Sequence, residues 1–223
     1  MRLPRLTACL LLLFGVAAAQ SVPRAKDGKP DLTGVWNPDG KFAGDFSKAL
    51  KPGEKITLLP QAEKAMQDLK KKGDPVARCL PMGVPRLSNF PMKIVQTPSE
   101  VFILQEGDIH TFRIIYLGGR PHPAEVNPTW YGDSIAKWDG DTLVVDTVGF
   151  NDRTWLDSVG HPHTEQLHVT ERYRRPNLDN LQLEVTIEDP GAYAKPFTLA
   201  GSFRLAADKE LRERYCYTSP VDK

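Results

Sequence analysis

The chain has 223 residues, with 29 lysines and arginines against 28 aspartates and glutamates and a formal net charge of +1. Charges of both signs are spread along its length, which excludes the basic face that nucleic-acid binding requires. Nineteen prolines and 17 glycines favour many turns over long helices.

Met1 to Arg5 carries two arginines, and Leu6 to Ala19 follows without a charge. This is the pattern of a secretory signal peptide over residues 1–19. Ala17, Ala18 and Ala19 supply the small residues that signal peptidase needs. The apolar run is shorter than the roughly 20 residues of a membrane span, so no stable span is expected after cleavage. Residues 20–30 read as a flexible leader, and residues 31–223 as one domain. Cys79 and Cys216 remain after removal of the signal. In a periplasmic or secreted setting an isolated pair is expected to join, the alternative being two buried thiols.

Pro60 suits a first helical position, Ala62, Ala65, Met66 and Leu69 recur at helical spacing, and Gly73 and Pro75 stop the run, which predicts a helix. From residue 93 the pattern changes to short strands: 93–97, 101–106, 109–117, 130–138, 141–148, 164–174, 181–188, 197–205 and 211–217. Asp139-Gly140 is a hairpin turn, and Leu181, Leu183, Val185 and Ile187 alternate with polar residues as in a half-buried strand. With Gly34 to Trp36 as the first strand, the expected fold is all-β. It is an antiparallel meander closed or nearly closed into a barrel, with the N-terminal helix packed outside.

Gly34-Val35-Trp36 resembles the G-x-W start of the lipocalin-like barrels. The resemblance implies that Trp36 closes the barrel floor against an arginine of the final strand, Arg212 or Arg214. A wider set of segments is similar to a group of secreted bacterial β-proteins of uncharacterised function. These segments are Cys79 to Gly83, Trp138 to Val145, Gly149 to Asp152, Pro162 to Thr164, Leu167-His168 and Glu171-Arg172. That likeness implies export, a β-fold and a Cys79–Cys216 bond, and it carries no reaction with it.

Three of the five histidines fall between residues 161 and 168, among acidic residues. His163 or His168 with Asp152 or Asp157 would form an acid–base pair, the carboxylate fixing the tautomer of the ring. Arg113, Arg172, Glu171, Trp155, Asn151 and Glu106 are candidate ligand-binding residues. Alternation along 164–174 puts either Leu167, Val169, Glu171 and Tyr173 or His168 and Arg172 on the inner face. In the first case Glu171 needs a buried partner, for which Arg113 is a candidate. A metal set of His161, His163 and His168 lacks any established spacing, so neither metal nor cofactor is expected. No G-x-S-x-G indicates a serine nucleophile. Two readings follow. One is a barrel that binds a small organic ligand in its mouth at a polar His/Asp/Arg site. The other is a cofactor-independent hydrolase, lyase or isomerase working through a His–Asp pair.

Overall fold

The computed structural model describes residues 21–42, 44–107 and 111–216. The expected signal segment, residues 1–19, lies outside the described residues, as do His110 and Tyr217. Nine strands close into a barrel: β1 (Gly34–Pro38), β2 (Met92–Gln96), β3 (Glu100–Gln105), β4 (Phe112–Tyr116), β5 (Asp133–Asp139), β6 (Thr142–Val148), β7 (His168–Arg174), β8 (Asn180–Glu188) and β9 (Phe197–Leu205). The one α-helix, α1 (Pro60–Lys72), lies outside it and ends at Gly73, whose φ of 79° suits glycine.

Strand order around the barrel follows chain order, and β1 pairs with β9 to close the ring. An all-antiparallel ring needs an even number of strands, because directions must alternate around it. With nine, one seam has to be parallel, and it is β4 against β5, which pair at Ile115↔Ser134 and Tyr116↔Ile135. Here the fold departs from a uniform antiparallel meander. The chain between residues 117 and 132 crosses back over the outside to reach the start of β5 in the right direction. Thr129 and Asn151 pin this crossover to the end of β6 through Thr129 N–H to Gly149 O and Asn151 N–H to Thr129 O.

The expected strand over 211–217 does not form. β9 already pairs with β8 on one side and β1 on the other, so the closed ring leaves no edge there for a tenth strand. Residues 212–216 are instead an exposed tail, and the Cys79–Cys216 disulfide ties it to the loop after residues 75–78. Glu106 touches the same tail, accepting a hydrogen bond from the Arg212 backbone.

Period-two alternation decides what fills the ring. Leu181, Leu183, Val185 and Ile187 are fully buried while Gln182, Glu184, Thr186 and Glu188 face out. Each inward aliphatic side chain contributes about 1.5–3 kcal/mol by leaving water. Val145, Val169, Leu199 and Ile115 meet them, all without accessible surface, so no water-sized space adjoins them. Phe42 enters the space that Gly201 leaves on the inner face of β9, where a Cβ would come within 2.4 Å of the ring. Phe42 packs edge-on against Phe46. Trp36 is fully buried and donates to Leu32 O. The arginine over its ring is Arg175, just past β7, rather than Arg212 or Arg214; its Cζ lies 4.9 Å from the ring centroid. Residues 21–30 form a turn closed by an Arg24↔Pro30 bridge, and Arg24 grips Asp141 with both guanidinium nitrogens.

Candidate functional site

The structure places the expected site residues in four separate surroundings. The first is the barrel core. β7 turns Val169, Glu171 and Tyr173 inward, Leu167 just before it is buried as well, and Glu171 is fully buried. Arg113 of β4 forms an ion pair with it, Nη2 to Oε2 at 2.5 Å. Arg113 also donates to Ser134 Oγ and Thr147 Oγ1, and the Tyr173 hydroxyl donates to Glu171 Oε1 at 2.9 Å. Burial works against the Arg113 charge, but Glu171 more than compensates, so its pKa is raised. Burial, and then Glu171, push the Tyr173 phenol well above its ordinary value. Arg113 and Glu171 therefore engage each other inside a packed barrel.

The second surrounding holds His163, which is buried with Nε2 at 2.7 Å from Thr154 Oγ1 and Nδ1 at 3.3 Å from Thr164 O. A neutral ring satisfies both contacts, Nδ1–H donating to the carbonyl and Nε2 accepting from the hydroxyl. Burial lowers its pKa. Asp152 is exposed and makes no hydrogen bond with it among the described residues. The unfolded chain takes up a proton near the ordinary pKa of 6.5 while the folded ring resists it. Stability is thus intact above that pH and falls as pH drops below it. We expect melting curves between pH 7.5 and 5 to show a decline, with a contribution from this ring of at most about 1.4 kcal/mol per pH unit. His163→Gln should show a shallower decline than the parent.

The third is the outer surface. Arg172 faces out from β7, donates to Asp139 Oδ2 and lines a groove of 430 Å³ across β7–β9. His168 also faces out and meets Asp146 rather than Asp152 or Asp157. Asn151 is buried and turns the chain by accepting from the Arg153 backbone. Trp155 is buried, and its Nε1 has no hydrogen-bond partner among the described residues.

The fourth surrounding has the geometry of a site. Asp157 has no exposed surface. Its Oδ1 accepts from the backbone of Val159, Gly160 and His161, each at 3.1 Å, and its Oδ2 from Phe46 N–H at 3.0 Å. The remaining contact is His161 Nδ1, at 2.6 Å from Oδ2. Burial would raise the Asp157 pKa, but His161 and the backbone donors outweigh it and hold the carboxyl below its usual value. Asp157 thus presents an anion to Nδ1 of the ring, and a neutral ring that donates Nδ1–H to it carries its lone pair on Nε2. No described residue bonds to Nε2. His161 lines a cleft of 670 Å³ between α1, the 45–58 segment and the 157–161 turn. Leu50, Ile56, Leu58 and Met66 give the cleft an apolar wall, while Lys70 and Glu63 supply opposite charges from α1.

The expected pairing of Asp157 with His163 or His168 gives way to its pairing with His161. The legible signal was local: an aspartate four residues before a histidine, with Gly160 permitting the tight turn at φ 93°. Asp45, Asp157 and His161 offer ligand atoms within 4.8 Å of one another, which is close enough to gather a cation. The five donors already on Asp157 favour an oriented imidazole over a metal ligand set. Among the described residues no helix is long and apolar enough to cross a membrane. Comparison with known protein families, with curated proteins and with solved structures finds no match.

Proposed function

We propose that this is an exported protein that takes a small organic molecule in the cleft beneath α1, outside the barrel, and moves a proton on it with the His161–Asp157 pair. Export rests on the signal-like start of the sequence, and the disulfide suits an oxidising compartment. The cleft volume falls within the range of small-molecule sites. The concave surface beside α1 supports a site on the outside of the barrel. One observation carries the reading: a buried carboxylate holds one nitrogen of His161, no described residue bonds to the other, and His161 lines the cleft.

In this arrangement Nε2 accepts a proton from a substrate O–H or C–H group. The imidazolium that forms is stabilised by Asp157 and returns the proton to the product. The chemistry fits hydrolysis, elimination or isomerisation of a molecule with an apolar body, and it calls on no cofactor.

The test screens small esters, lactones and hydroxy acids for binding by ligand-observed NMR and for turnover. Met66→Trp, which fills the cleft, should abolish binding of the hits. His161→Gln should lower turnover by about 10²–10⁴-fold, with melting temperature read in parallel to separate out any loss of the contact to Asp157. Hits that bind Met66→Trp as well as the parent would move the site elsewhere. Hits lost in Met66→Trp but turned over equally by His161→Gln would remove the acid–base role.

A further inference from the structure

A second concave surface, the 430 Å³ groove on the outer face of β6 to β9, shares no lining residue with the cleft. Strand register builds it. Thr142 of β6 lies opposite Arg174 of β7, Arg174 opposite Gln182 of β8, and Gln182 opposite Ser202 of β9. Alternation turns all four away from the core, so they form one polar row across four strands, and all four line the groove. With neighbouring strands about 4.8 Å apart, the row is about 14 Å long. A second row runs beside it, Arg172 opposite Glu184 and Glu184 opposite Ala200. Ala200 presents only a methyl group, which keeps the floor of the groove low.

The charges on this face do not cancel. Arg172 is held by Asp139 at 2.8 Å, and Glu184 by Lys51 at 2.9 Å. Arg24 grips Asp141 at both oxygens. Arg174 acts on Asp141 through its charge and, among the described residues, makes no hydrogen bond or close ion pair. The Lys41 ammonium makes none either. Asp39 accepts from the backbone of Lys41 and from both the backbone and the hydroxyl of Ser202, which pins the loop after β1 to β9 and sets Lys41 at the groove. Arg174 and Lys41 are thus answered only by Asp39, whose oxygens those donors already occupy.

We propose that this groove binds an acidic oligosaccharide, a short chain of hydroxyl-bearing rings that carry carboxylates. Arg174 and Lys41 take the carboxylates, Arg174 as a planar fork that matches both oxygens. Thr142 and Gln182 donate to and accept from ring hydroxyls, and Ser202 Oγ, which donates to Asp39, accepts from one. Other classes of ligand fit the lining less well. No aromatic side chain lines the groove, so the bases of a single-stranded nucleic acid find no platform on which to stack. β7, β8 and β9 are each paired on both sides, so an extended peptide finds no edge to join. Apolar lining is confined to Leu183, Ala200 and Gly201, too little to hold a molecule with a large apolar body. A ligand whose polar groups recur along its length matches a row of side chains that recur strand by strand. Because the contacts lie in solvent, added salt weakens them.

The test is calorimetric titration at low salt with the trisaccharides of galacturonate and of mannuronate, with uncharged maltotriose and a tri-glutamate peptide as controls. We expect saturable binding of at least one acidic trisaccharide, at least about 10-fold tighter than either control. Arg174→Gln should weaken it at least about 10-fold, the loss of one charge-assisted contact, and Arg174→Lys should restore part of it. Ala200→Phe, which fills the floor of the groove, should abolish it, with circular dichroism and melting temperature read in parallel to verify the barrel. His161→Gln and Met66→Trp should bind as the parent does. That separates this site from the cleft, so either proposal can fail alone. Three results overturn the proposal: no saturable binding of either acidic trisaccharide, binding by Arg174→Gln equal to that of the parent, or tri-glutamate binding as tightly as the acidic saccharides, which would reduce the groove to a general cationic patch.

Discussion

Glu171→Gln should destabilise the protein by about 3–5 kcal/mol, measured as a shift in the urea unfolding midpoint. The substitution changes the volume little, but it removes the only acidic partner that Arg113 is shown to have inside the barrel. Arg113 is 5% exposed, and its other described polar contacts are the hydroxyls of Ser134, Thr147 and Tyr173. A guanidinium there keeps its desolvation cost and loses the attraction that offsets it. The reverse change, Arg113→Met, strands the Glu171 carboxylate in the same way. The double change Arg113→Met/Glu171→Leu should be less destabilised than either single change, because buried ion pairs contribute little net stability over apolar groups of similar size, with a residual cost from the Tyr173 hydroxyl that loses its acceptor. A Glu171→Gln chain less than about 1 kcal/mol below the parent would mean that water reaches Arg113 through the β4–β5 seam.

Asp157→Asn should cost both stability and activity, and the two effects have separate origins. The carboxylate accepts five hydrogen bonds on two oxygens. A carboxamide has one oxygen, so its NH₂ must face either the three backbone donors of residues 159–161 or the pair from Phe46 and His161. Facing the three, it opposes N–H to N–H and destabilises the turn by about 2–4 kcal/mol. Facing the pair, it obliges His161 to accept at Nδ1, which moves the ring proton to Nε2 and removes the base. Loss of such an orienting carboxylate lowers turnover by up to about 10⁴-fold in hydrolases of the serine–histidine–aspartate type. Turnover in Asp157→Asn should fall with the substrate that reports on His161→Gln. Chemical denaturation, run in parallel, measures the structural part. A variant with unchanged turnover would leave Asp157 a purely structural hub.

How much of this could be read from the chain differs between the core and the site. Alternation in 181–188 gave the inner and outer faces of β8 directly, because the ring buries one face and wets the other. Pro60 and Gly73 marked the helix through backbone chemistry that acts locally. The Arg113–Glu171 pair was reachable as a candidate because a buried carboxylate demands a cation and few arginines lie within strands. The parallel seam was not legible, since it follows from a strand count that one false strand, 211–217, was enough to upset. The histidines were grouped by closeness in sequence, and the fold separated them. His161 turns back on Asp157, His163 goes into the interior against Thr154, and His168 faces out toward a residue in β6 and a histidine from the crossover. Such pairings depend on register across strands, which local pattern does not specify.

Closure of the ring by its two outermost strands has a consequence for how the protein comes into being. Every other neighbouring pair is also consecutive along the chain, so from β2 onward each strand can join the one before it in the order in which they leave the ribosome, as a hairpin everywhere but at the parallel β4–β5 seam. β1 emerges before any of them and must wait for β9, made last, to cover its other edge. Until then the nascent polypeptide is an open, curling ribbon with two bare margins, the state in which strand proteins stick to one another. A chaperone would be of most use to this molecule in the interval before β9 is made.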